Sequence, residues 1–219
     1  SLDRFAIYKV DELQSVVLEH YEKFEFYLAI QKFVAFCSED LGGFHLDIIK
    51  DRLYTTSEDS FARRSAQTSL YHISHSLMRV MAPVLSFTAH ELWEVLCNEK
   101  DHSIFSDYWY ELPKHGLSHE DIKDWNNIIK VRAEVNKRIE ELRESGKVGS
   151  SLQAQLRINA NKDIMDSLIR FEDDLKFIFI SSDVTINLHD DDLNIEATPS
   201  PYKKCERCWH YAESVGQNK

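Results

Sequence analysis

Over the first 96 residues the apolar side chains return at intervals of three and four, and no proline interrupts them before Pro83. A stripe with that period fits one face of an α-helix; a strand, whose faces alternate every second residue, cannot gather it on one side. Leu2, Phe5, Ala6, Leu13, Val16 and Val17 form one such stripe, and Phe26, Ile30, Phe33, Val34, Cys37 and Leu41 form a second. Gly42 and Gly43 stand where a helix end favours a residue without a Cβ, so the second helix is expected to stop there. A short helix should follow through His45 to Leu53. Thr56 and Ser57 are in place to cap a longer one bearing Ala66, Leu70, Ile73, Leu77 and Val80. Pro83 should break or kink that helix before another carrying Leu92, Trp93 and Leu96. The pattern is that of a helical bundle.

Residues 98–118 read as an irregular aromatic connection. Helical spacing returns at Ile122, Trp125, Ile129, Arg132, Val135, Ile139 and Leu142, until Gly146 ends it. Beyond Gly149 the texture changes. Leu152, Leu156 and Ile158, then residues 177–180, 184–188 and 193–197, form short, partly alternating runs consistent with strands. Thr198-Pro199-Ser200-Pro201 is too poor in apolar residues for a core and reads as a linker. The expected fold class is therefore mainly α: a helical bundle over residues 1–146, a small α/β subdomain over 147–198, and a linker with a short irregular tail over 199–219.

Composition narrows the functional classes. A hydrophobic content of 43% is enough for a buried core, while no run approaches the ~18 apolar residues of a membrane helix and the N-terminus has no secretory pattern. Four cysteines, two of them isolated in helical patterns, suit a reducing cytoplasm better than a disulfide framework. The net charge of -11 argues against a conventional nucleic-acid-binding domain, because neutralising phosphates calls for clustered Lys and Arg; neither a membrane nor DNA is expected as a partner. Charge is uneven, however: residues 123–147 carry seven basic side chains against five acidic. Any contact with nucleic acid must use local faces.

Cys205-Glu206-Arg207-Cys208-Trp209-His210 is the most chemically specific stretch, because two thiolates three positions apart on a tight turn can share a tetrahedral Zn²⁺. It is half of a four-cysteine site, with no second pair after it in this sequence. His210 follows Trp209 directly and is poorly placed as a third ligand. A thioredoxin-like redox pair would need a strand-to-helix junction in a βαβ unit, whereas this pair follows a proline-containing linker. Arg63 and Arg64 sit in the first turns of a helix, where the macrodipole disfavours cations unless an anion is near. That anion is either phosphate or the neighbouring Glu58 and Asp59, the latter being slightly favoured. Asp47 and Asp51 share a helical face, but Lys50 and Arg52 beside them favour a salt-bridged surface over acid–base chemistry. His72 and His75 read as packing or surface histidines. With six glycines and no phosphate loop, nucleophile elbow or HExxH, the residues support a binding or interaction module before an enzyme.

Five stretches, taken in order, carry a resemblance to the isoleucyl-tRNA synthetases. Leu2-Asp3-Arg4-Phe5-Ala6 resembles the opening of that family's anticodon-binding helical domain. Phe44-His45-Leu46-Asp47-Ile48-Ile49-Lys50-Asp51-Arg52-Leu53-Tyr54 and Arg63-Arg64-Ser65-Ala66-Gln67-Thr68 are similar to its most recognisable internal segments. Lys147-Val148-Gly149-Ser150-Ser151-Leu152-Gln153-Ala154 resembles the join to its next subdomain, and Cys205 to Tyr211 the first half of its C-terminal zinc motif. The valine and leucine enzymes share the bundle but seldom this wording.

The resemblance implies a parent that joins isoleucine to its tRNA with ATP and Mg, is monomeric, and holds zinc through four cysteines, of which Cys205 and Cys208 would be two. The HIGH and KMSKS signatures of the family's catalytic domain do not occur here, so no catalytic residue is assigned and this stretch alone is expected to be inactive. What remains is recognition of isoleucine tRNA, by stacking unpaired anticodon bases on aromatics and holding the backbone with cations. By charge and position the candidates for this are Arg63, Arg64, Lys130, Arg132, Lys137 and Arg138, with Lys203, Lys204, Arg207 and Trp209 in the tail. Arg132 shares the spacing of the apolar stripe and could instead snorkel across it. The alternative from another class is a non-catalytic helical protein-interaction module.

Overall fold

In the computed structural model, residues 1–98, 102–190 and 192–217 of the 219 are described. They divide into two units, Ser1–Leu117 and Ser118–Lys219. The sequence placed the long helix of residues 122–142 with the bundle; its packing places it with the sheet that follows.

The first unit is helical. Helix α1 (Leu2–Glu22) buries Leu2, Phe5, Ala6, Leu13 and Val17 of the stripe that its sequence announces, with Val10 added to it and Val16 only half-buried. It packs against α2 (Phe26–Ala35) and α4 (Phe61–Met81), with Val10, Val17, Ala29, Phe36, Ile73 and Val80 at the centre of the contact. Residues 82–85 separate α4 from α5 (Ser86–Cys97), as Pro83 requires. Met78, Met81, Ala89, Trp93 and Ile104 form a second cluster between these two helices and the segment beyond them. The N-cap of α4 is Ser60, whose Oγ accepts from the backbone N–H of Arg63 at 3.2 Å; Thr56 instead closes α3 (Asp47–Thr55) and Ser57 lies in the turn between the two helices. Residues 99–101 lie outside the described residues; the rest of the aromatic connection is irregular apart from a 3₁₀ turn at Ile104–Ser106.

Gly42 and Gly43 do not stop a helix. The chain continues from α2 through a π-helical stretch, Phe36–Leu46, directly into α3. In that wider coil the carbonyl of residue i faces residue i+5. A Cβ at Gly42 would lie 3.0 Å from the Cys37 carbonyl oxygen, and one at Gly43 3.2 Å from that of Ser38. The glycines are there to let two carbonyls approach.

His45, at the end of this stretch, is 2% exposed. Its Nε2 lies 3.4 Å from Ser69 Oγ, and its Nδ1 has no partner among the described residues. Burial pushes its pKa down from 6.5 to about 4, with Arg52 adding to the effect and Asp3 opposing it. The neutral ring is thus the folded form, and the unfolded chain takes up the proton first. Stability is complete above pH 6.5 and falls as the pH drops toward 4, by about 3 kcal/mol from this group. Urea denaturation at pH 7 and pH 4 should show that loss, and His45→Asn should show a shallower pH dependence over the same interval.

The second unit opens with α6 (His119–Glu144), started by a capping box: Ser118 Oγ accepts from the Asp121 backbone N–H at 3.1 Å, and the Asp121 carboxylate accepts from the Ser118 N–H at 2.8 Å. Trp125, Ile128, Val131, Val135 and Ile139 form its buried stripe, and Gly146, with φ +70°, lies just past its end. The central strand of the three-stranded sheet is β1 (Ala154–Ala160). It pairs in parallel with β2 (Asp183–Leu188) and antiparallel with β3 (Asn194–Pro199). Ala154, Leu156, Ile158 and Ala160 alternate inward. A parallel pair needs a crossover, which α7 (Lys162–Ile169) and the single turn α8 (Leu175–Ile178) supply.

Two expectations are corrected here. The apolar run at 177–180 is not a strand but the end of α8 and its turn, with Ile178 and Phe179 fully buried and Ile180 in the left-handed region at φ +52°. Thr198 and Pro199 are not linker; they complete β3 opposite Gln155 and Ala154. The chain after them stays attached, with the Ser200 N–H donating to the Gln153 carbonyl at 2.8 Å. It forms a hairpin of β4 (Lys203–Lys204) and β5 (Tyr211–Ala212), whose Tyr211 N–H donates to Ser182 Oγ at 2.9 Å. Among the described residues no helix is long and apolar enough to cross a membrane.

Candidate nucleic-acid interface

The sequence-derived cations separate into those that face solvent and those already engaged. Lys130 and Lys137 lie two turns apart on the same side of α6, and both are exposed. Neither is ion-paired among the described residues, although Lys130 lies within the field of Asp163. Arg138, by contrast, bridges Glu134 at 3.2 Å and Glu141 at 3.1 Å. Arg132 is a correction: it is 5% exposed, and its guanidinium donates to the Ile178 carbonyl inside the second unit. It occupies a position of the buried stripe and ties α6 to the turn after α8, so it presents nothing to a phosphate.

The tail contributes a compact basic and aromatic tip. The backbone N–H of Cys205 donates to the His210 carbonyl at 2.8 Å, and that of Trp209 to the Cys205 carbonyl at 3.0 Å, which closes a tight knuckle. The turn holds Trp209 at φ +65° and leaves it 59% exposed, with Lys204 Nζ 4.7 Å from its ring centre. Lys203 and Arg207 are also exposed. Such a tip can stack a base and neutralise a phosphate. The Cys205 thiol is held below its ordinary pKa by hydrogen bonds from the backbone of Cys208 and then Arg207, the arrangement that favours a thiolate ligand. His210 packs edge-on against Phe177, with centroids 5.6 Å apart. Among the described residues no group of three or more His, Cys, Asp or Glu is gathered for a metal.

In the first unit, Arg63 and Arg64 form no ion pair with Glu58 or Asp59, so the carboxylate reading that the sequence slightly favoured does not hold; Arg64 is exposed. It lines an open cavity of about 570 Å³ between the first turns of α1 and α4 and residues 113–115. Arg4, Phe61 and Lys114, which the sequence did not single out, share that cavity. No local signal marks them: Arg4 and Phe61 read as members of amphipathic helices and Lys114 as part of an irregular loop, and only packing brings them together.

The remaining polar candidates are structural. Asp47 pairs with Lys50 at 2.5 Å, while Arg52 turns to Asp3 at 3.5 Å and Asp51 accepts from Thr55 Oγ at 3.2 Å. His72 Nδ1 lies 2.8 Å from the Tyr110 hydroxyl, and His75 stacks on the same ring, with centroids 5.1 Å apart. These contacts leave no nucleophile and base facing a common space.

A helical unit and a small α/β unit, each with exposed cations beside exposed aromatics, have the surface chemistry of an RNA-binding protein. The family model described as the anticodon-binding domain of tRNA ligase matches residues 3–158. The chain belongs to this family. Among similar proteins, the isoleucine-tRNA ligase of Cupriavidus pinatubonensis is 45% identical over 221 residues, and that of Burkholderia cenocepacia (strain HI2424) 47% identical over 217. These alignments take in 99% and 98% of this chain but 23% of each relative's length.

Proposed function

We propose that this chain is the part of an isoleucine-tRNA ligase that grips the anticodon loop of isoleucine tRNA. The observation that carries this reading is the near-half identity to such ligases over almost the whole chain, within which an anticodon-binding domain is matched. The physical role is positional. Cations hold the loop's backbone, aromatics take its unstacked bases, and the tRNA end is thereby presented to a catalytic domain, the user of ATP and Mg, that this stretch does not include. The parent works in the cytoplasm as a monomer, and this stretch alone has no ligase activity. Neither a membrane nor DNA is a partner.

On α6 the phosphate contacts fall to Lys130 and Lys137. Replacing both with glutamine should weaken binding of isoleucine tRNA about tenfold and make the log–log salt dependence shallower by about 1.4, roughly 0.7 for each backbone phosphate released. Filter binding across a salt series measures both. Unchanged affinity and slope would remove α6 from the interface.

Zinc belongs to the tail. Cys205 and Cys208 supply two thiolates of a tetrahedral site, and a structural zinc takes four strong ligands. This chain is therefore expected to hold less than one equivalent after dialysis. Metal analysis of the purified chain checks it, and one tightly held zinc per chain would contradict it.

A second reading, a protein-interaction module, draws on the exposed Phe87, Leu92 and Val95 along α5. It predicts no RNA binding even at low salt.

A further inference from the structure

Three cations converge on the cavity of the first unit: Arg4 from the first turn of α1, Arg64 from the first turn of α4, and Lys114 from the irregular segment. Among the described residues none is paired with a carboxylate, and Asp59 is the one acidic group on the rim set against them. The second acidic wall residue, Asp3, is only 6% exposed, and its Oδ2 is already taken by the Ser65 hydroxyl at 2.6 Å and by Arg52 at 3.5 Å. Its Oδ1 has no hydrogen-bond partner. That oxygen is itself closed off from solvent, so Asp3 stands in the wall without meeting a ligand, and the cations set the charge of the open space. Beside the opening stands Phe61, an aromatic ring that is 88% exposed. An apolar ring left in water at the edge of a basic cavity is a platform on which a flat heterocycle can stack.

We infer that this cavity takes one unstacked ribonucleotide, its phosphate among Arg4, Arg64 and Lys114 and its base on Phe61. At about 570 Å³ the space lies within the range of small-ligand pockets and suits a single nucleotide, whereas a duplex is far too wide for it. The inference rests on the RNA-binding reading and adds a site to it, in residues not assigned to RNA by sequence apart from Arg64. It also accounts for the clustering of positive charge at the start of α4, where the macrodipole alone would reject it.

The test uses the whole 219-residue chain and isoleucine tRNA, by filter binding across a salt series. One variant carries Arg64→Gln with Lys114→Gln, the other Phe61→Ala; all three side chains are exposed, so thermal unfolding should match the wild type. The double variant is expected to bind about tenfold more weakly with a salt slope shallower by about 0.7, the share of the single phosphate released. Phe61→Ala is expected to bind about tenfold more weakly with the slope unchanged, because stacking releases no counterions. If the wild type binds and both variants bind as it does, the cavity is not a nucleotide site and the wider reading stands. If the wild type fails to bind isoleucine tRNA at low salt, the wider reading falls and takes the cavity with it.

Discussion

Replacing Trp125 with alanine is expected to cost the second unit about 3–5 kcal/mol, enough to consume a large part of the stability of a domain this size. Trp125 is 2% exposed at the start of α6 and packs its indole on Phe171, with centroids 4.6 Å apart. Truncation removes the largest fully buried side chain and leaves a space that the helix, pinned by its capping box at Ser118 and by Arg132 on the Ile178 carbonyl, cannot easily collapse into. For a unit of about a hundred residues a loss of that size lowers the unfolding temperature by roughly 15–30 °C. Amide exchange at Leu156 and Ile158 in the central strand reports it directly. Protection of those amides at wild-type levels would mean that the α6 stripe does not hold the sheet.

Asp107→Ala is expected to destabilise the first unit by about 3 kcal/mol, because it orphans a nearly buried charge. Arg79 is 9% exposed and bonds the Asp107 carboxylate, the Tyr108 carbonyl at 3.0 Å and the His75 carbonyl at 2.8 Å. Its guanidinium carbon lies 4.8 Å from the Trp93 ring centre and 5.2 Å from that of Tyr110. One side chain on α4 thus gathers α5 and the irregular segment. Burial works against the charge on Asp107, but the Arg79 hydrogen bond, backed by the Tyr108 N–H, outweighs it and holds the carboxyl below its ordinary range. The stabilisation is therefore present above the usual carboxylate pKa and fades as the pH falls through the lowered one. Arg79→Met combined with Asp107→Ala should cost less than Asp107→Ala alone, since no charge is then left buried without its partner. Urea denaturation of the single and double variants measures the difference. A double variant worse than the single would show that the arginine's packing, not its pairing, carries the segment.

The two units differ in how far the sequence reveals them. Periodicity announces α1, α4 and α6 because each buries one stripe and exposes the rest, so composition and position vary together. It fails at Gly42 and Gly43, where the same residue type that ends an α-helix also relieves crowding in a π-helical one, and the two uses leave the same letters. It fails again at residues 177–180, four apolar residues in a row that carry no period of either kind. The boundary at Leu117 was hidden because α6 looks like any amphipathic helix; only its partners, α7 and β3, assign it to the sheet.

The interface shows the same division. Lys130, Lys137 and Trp209 could be picked by charge, spacing and motif, and they are exposed. Arg132 could be picked by charge and was misleading, since a long cation in an apolar stripe is as ready to bond a buried carbonyl as to reach solvent. Arg4, Phe61 and Lys114 were not legible at all. They are 57 and 53 residues apart along the chain and meet only because α1 packs on α4 and the irregular segment passes beside them.

A protein of net charge -11 can hold a polyanion only through a few local cationic and aromatic faces, and those faces must be enough to grip an unpaired RNA loop. The direct measurement is the affinity of this chain for isoleucine tRNA, for the same tRNA with its anticodon replaced, and for an unrelated tRNA, each across a salt series. Binding is expected to be tightest to the first, weaker by about tenfold or more for the other two, and to fall linearly on a log–log plot as salt rises. Equal affinity for all three, or binding indifferent to salt, would contradict it.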